Sequence, residues 1–65
     1  MRIQVNGDTR EVAARTILDL VGELGLDPRK VAVERNLEIV PRSLYGRTPV
    51  ADGDRIEIVS FVGGG

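Results

Sequence analysis

Arg55-Ile56-Glu57-Ile58-Val59-Ser60-Phe61-Val62-Gly63-Gly64-Gly65 is the stretch on which the fold turns. Ile56 and Ile58 alternate with Arg55 and Glu57, the period of a strand with one buried face. From Val59 onward the pattern changes sides, because Val59 and Phe61 fall on the face that had carried the charges. A single sheet packed by one helix has one core face. Val59, Phe61 and the adjoining Val62 are therefore expected to form an exposed apolar patch, unless a bulge or a covering loop buries them. Three glycines follow, with no side chains to pack. Residues 63–65 are expected to be a flexible tail beyond a folded domain of residues 1–62, with the Gly65 α-carboxylate at its tip. Glycine runs also occur in frayed termini and linkers, so the tail alone does not decide what it is for.

Outward from this strand, Asp52-Gly53-Asp54 reads as the tight turn that feeds it. Residues 42–49 read as a loop broken by Gly46 and Pro49, with Leu44 and Tyr45 as its anchors to the core. Ile39 and Val40 form a short strand closed by Pro41, Asn36 is the turn residue before it, and Val31, Ala32 and Val33 form another short strand. Asp27-Pro28 is a turn or a single helical turn. Thr16 caps a helix with Asp19 at the capping-box position, and Ile17, Leu20, Val21 and Leu24 make one apolar stripe. Gly25 stops that helix in the left-handed conformation, with Leu26 folding back on the last turn. Gly22 inside it marks either close packing or slack. At the start, Met1, Ile3 and Val5 alternate with polar residues and run into Asn6-Gly7, a pair suited to a tight hairpin turn; residues 9–12 return as a weakly apolar strand near an edge.

The order is hairpin, helix, short strands, then a long last strand that is apolar at its centre and so belongs between others, next to the first. This is an α+β fold with a mixed sheet and one main helix packed across one face, the β-grasp arrangement of ubiquitin-like proteins.

The chain has 65 residues, no cysteine and no histidine, so disulfides, thiolate chemistry and imidazole bases are excluded. Nine basic and ten acidic residues are dispersed, giving a net charge of -1. With only Tyr45 and Phe61 as aromatics, there is no basic, aromatic-studded stripe for nucleic acid. No apolar run is long enough to cross a membrane, and the strand pattern begins at Met1, which leads us to expect a cytoplasmic protein without a signal peptide. Asp52, Asp54 and Glu57 lie close in sequence but lack the spacing of a calcium loop and read as turn chemistry.

In Val33-Glu34-Arg35-Asn36, Ile39-Val40-Pro41-Arg42, Asp52-Gly53-Asp54 and Ile56-Glu57-Ile58-Val59 with the terminal Gly64-Gly65, the chain resembles the ThiS-type sulfur carriers of thiazole biosynthesis. The resemblance spans essentially the whole sequence. It implies a carrier that is not itself an enzyme and binds no cofactor. A partner adenylyltransferase resembling ubiquitin-activating enzymes would consume ATP to adenylate Gly65, with Gly63 and Gly64 as the rest of the tail. A sulfur donor such as a cysteine desulfurase would supply the sulfur for a Gly65 thiocarboxylate, which a thiazole synthase would use to build the thiazole of thiamine. Val59, Phe61 and Val62 would be the docking patch. The same tail chemistry would suit a carrier for molybdopterin synthesis or tRNA thiolation, although molybdopterin-type carriers tend to be longer. A non-catalytic β-grasp interaction module with an inert tail is the reading from a different class.

Overall fold

Asn6 and Gly7 take positive φ angles of 51° and 85°, and the chain reverses there between strand β1 (Arg2–Val5) and strand β2 (Asp8–Glu11). The computed structural model describes residues 1–61. After β2 come helix α1 (Ile17–Glu23), a 3-10 turn (Pro28–Lys30), β3 (Val31–Arg35), β4 (Glu38–Val40), a second 3-10 turn (Arg42–Leu44) and β5 (Arg55–Ser60). The sheet order is β2-β1-β5-β3-β4, with β1 and β5 parallel and the other pairs antiparallel. The last strand thus lies between the first and the third, and the weakly apolar β2 is at an edge. The β-grasp expectation holds. The domain boundary after residue 62 lies outside the described residues.

One face of the sheet presents Ile3, Val5, Val31, Val33, Ile56 and Ile58 to Ile17, Leu20 and Val21 of α1, and all are buried. Each such side chain contributes about 1.5–3 kcal/mol relative to exposure. The helix is short, so its ends must be satisfied from outside. The Asp19 amide donates to Thr16 Oγ1 at 3.1 Å and the Thr16 amide to the Asp19 carboxylate at 3.3 Å, the expected capping box. The amides of Ile17 and Leu18 donate to the carbonyls of Thr48 and Tyr45, at 3.0 and 2.9 Å. The loop after β4 therefore completes the helix N-terminus. At the other end Gly25 has φ 75°, and the Leu26 amide reaches back to the Val21 carbonyl at 3.0 Å.

Several details differ from the sequence reading. β2 runs over Asp8–Glu11, with Val12 buried just beyond it, and β3 continues to Arg35. Leu44 does not anchor its loop and stays exposed; Tyr45 does, buried with its hydroxyl donating to the Val31 carbonyl at 3.0 Å. A leucine beside a buried tyrosine on a 3-10 turn faces away from the core, which a linear pattern does not reveal. Nothing lies within 4 Å of a Cβ built on Gly22, so that glycine marks slack rather than close packing.

Both turn asparagines also staple β5. Asn6 accepts from the Ile58 amide at 2.8 Å and donates to the Ile58 carbonyl at 3.1 Å, so its side chain continues the ladder past the end of β1. Asn36, at φ 52°, accepts from the Arg55 amide at 2.9 Å and donates to Asp54 at 3.0 Å. Asn6→Gly keeps the positive φ but deletes the two Ile58 bonds. It should lower stability by about 1–2 kcal/mol in urea titration, whereas an unchanged midpoint would show the staple to be idle.

Candidate docking face and tail

α1 covers one face of the sheet, and the described residues leave the other face open. Val59 is 62% exposed and Phe61 49% exposed, at the end of β5 from which the tail departs. The side switch inferred from the sequence is therefore present, and neither a bulge nor a loop buries these residues. Pairing of Ala32 with Val59 keeps β5 in register almost to its end, and the Phe61 amide donates to the Lys30 carbonyl at 2.8 Å. The backbone is thus held to the strand's neighbour right up to Phe61. Val62 and the tail glycines Gly63, Gly64 and Gly65 lie outside the described residues.

Ile39 belongs to this open face and was missed as a surface residue. It is 77% exposed, while its neighbour Val40 is buried. The signal was available, since two adjacent apolar residues in a strand must point to opposite faces. Ile39, Ala32, Val59, Glu34 and Glu57 surround a shallow hollow of about 130 Å³.

The acidic residues before and within β5 are assigned to separate tasks. Asp52 accepts from the Arg2 amide at 2.8 Å. Glu57 is on the open face, paired in register with Glu34. Asp54 is buried, 5% exposed, and accepts from Arg35 Nε at 2.8 Å, Asn36 Nδ2 at 3.0 Å and the Ala51 amide at 2.8 Å. Burial pushes the Asp54 carboxyl up, but the Ala51 amide, Asn36 and Arg35 outweigh it and hold the group below the usual aspartate value. Among the described residues no group of three or more acidic side chains is placed to hold a metal ion.

The strand order, the single helix on one face and the exposed end of β5 define a ubiquitin-like β-grasp domain. Residues 3–65 match the ThiS family, and the chain belongs to that family. The crystal structure of a thiamine biosynthesis protein (ThiS) from Geobacter metallireducens superimposes with a TM-score of 0.84 at 33% identity, covering all of both chains. The sulfur carrier protein ThiS of Bacillus subtilis is 48% identical over 50 residues, 77% of this chain and 76% of that protein. A thiazole synthase of Paramagnetospirillum magneticum is 58% identical over 66 residues, which is all of this chain but only 20% of the synthase. The chain therefore spans about a fifth of the length of that relative.

Proposed function

We propose that this chain is a sulfur carrier of thiamine biosynthesis, with the Gly65 α-carboxylate as the group that is loaded. The observation that carries this reading is the match of residues 3–65 to the ThiS family, which includes the terminal glycines. A carboxylate resists attack because its charge is delocalised and its leaving group would be oxide. An adenylyltransferase resembling ubiquitin-activating enzymes joins it to AMP from ATP, releasing pyrophosphate. A sulfur nucleophile, derived from cysteine through a desulfurase, then attacks the acyl carbon and AMP departs. Glycine at 64 and 65 leaves room for the nucleotide and for backbone amides of the partner around the acyl-phosphate. The domain itself is a co-substrate that holds the tail in reach, working in the cytoplasm and binding no cofactor of its own.

The names of the relatives favour the thiazole pathway over molybdopterin synthesis or tRNA thiolation, and a thiazole synthase is the expected acceptor of the sulfur. The test is intact mass after incubation with ATP, the adenylyltransferase and cysteine plus desulfurase. Replacement of one oxygen by sulfur is expected, and its absence refutes the assignment. Docking through the open end of β5 adds a second expectation. Phe61→Asp should weaken association with the adenylyltransferase by about tenfold, measured by calorimetry, while the fold persists because this side chain is half exposed. Unfolding would instead place Phe61 in the core.

A further inference from the structure

Glu34 of β3 stands directly opposite Glu57 of β5, and Ile39 of β4 stands opposite Glu34 on its other side. The two carboxylates thus meet on one face with their Cα atoms ~5 Å apart. Like charges in this position oppose folding. Among the described residues neither carboxylate takes part in an ion pair; those present join Glu11 to Arg2 and to the Met1 amino group, Asp27 to Arg29, and Asp54 to Arg35. Arg55, two residues before Glu57 on the same strand and face, leaves it unpaired. Both glutamates are half-buried, and exposed Ile39 and Val59 flank them around the hollow. The fold gains nothing from an unrelieved acidic pair set between exposed apolar side chains. A protein surface that brings one cation and apolar cover gains from both.

We infer that this face is a docking surface for the thiazole synthase, which places one arginine between Glu34 and Glu57 and apolar side chains over Ile39 and Val59. The assignment of this occupant rests on the proposed carrier function. A guanidinium suits the site because its fork of donors can serve two carboxylates at once, whereas an ammonium acts as a point charge. The surface is continuous with Val59 and Phe61 at the root of the tail, so a synthase seated here also has the carrier's terminus beside it.

The experiment is calorimetric titration of the full chain and its Glu34→Gln/Glu57→Gln variant against the thiazole synthase of the same organism, at low and high salt. The variant should bind about tenfold more weakly and lose most of the salt dependence. Its thermal midpoint should be no lower than that of the parent, and its sulfur loading by the adenylyltransferase should be unchanged. Ile39→Ser should also weaken binding to the synthase. Affinity of the double variant within about twofold of the parent overturns the inference, as does a fall in its midpoint, which would make the pair structural. Loss of binding to the adenylyltransferase alone, or a parent dimer that the substitutions dissociate, would give the face to another occupant. Failure of the parent to take up sulfur would instead refute the carrier function itself.

Discussion

Deleting Gly65 is expected to cut sulfur loading by at least about 100-fold, because reactions of this kind tolerate little misplacement of the reacting atom. The shortened chain still ends in a glycine carboxylate, so its intrinsic chemistry is unchanged. What changes is reach. One residue of extended backbone is worth roughly 3.5 Å, about the whole separation between reacting atoms in a near-attack geometry. The fold should not respond, since the buried residues run from Ile3 to Ile58. Stability should therefore stay within about 0.5 kcal/mol of the parent. Intact mass under single-turnover conditions reads the first effect and urea titration the second. Gly64→Ala provides a graded comparison: the carboxylate keeps its distance, but a methyl group enters the space beside the acyl-phosphate, and loading should fall less than on deletion. Undiminished loading of the shortened chain would mean that the sulfur is carried elsewhere and would refute the assignment.

The parts of the fold legible in the sequence were those governed by local rules. Asn6-Gly7, the Thr16–Asp19 cap, Gly25 and the turn before Arg55 each declare a backbone conformation through a few neighbouring residues, and the structure has each of them. The change of side at Val59 was legible for a similar reason, since strand geometry permits only two faces. Relations between distant segments were not legible. Nothing in residues 42–49 indicates that the Tyr45 and Thr48 carbonyls receive the first helical amides, or that Tyr45 rather than Leu44 reaches the core. The Glu34–Glu57 pair depends on the register of β3 against β5, which neither strand specifies alone. Asp54 read as one acid of a turn, yet its partners Arg35 and Asn36 come from 19 and 18 residues earlier.

That last cluster carries the largest expected effect on stability. Asp54→Ala removes the acceptor for Arg35, for the Asn36 amide and for the Ala51 amide in a site that is nearly closed to solvent. Breaking a buried pair from one side costs about 3–5 kcal/mol. A 65-residue domain has roughly 3–10 kcal/mol in total, so this variant should be largely or partly unfolded at physiological temperature. Asp54→Asn retains the shape and one acceptor oxygen but turns an amide donor toward donors, and should cost about 1–3 kcal/mol. The pH dependence has a definite sign. Because the folded carboxyl titrates below the ordinary aspartate value, its contribution is present above that ordinary value and is lost as pH falls through the lower folded one. The gap between parent and Asp54→Asn, measured by urea titration, should accordingly be full at neutral pH and shrink in acid. A gap that is independent of pH would show that shape, not charge, matters there. Asp54 joins the β3–β4 turn to the start of β5, while Asn6 holds the same strand at Ile58 from the β1–β2 turn. Loosening the first of these clamps should therefore reduce partner binding at Val59 and Phe61 as well as stability, although neither residue touches Asp54's partners.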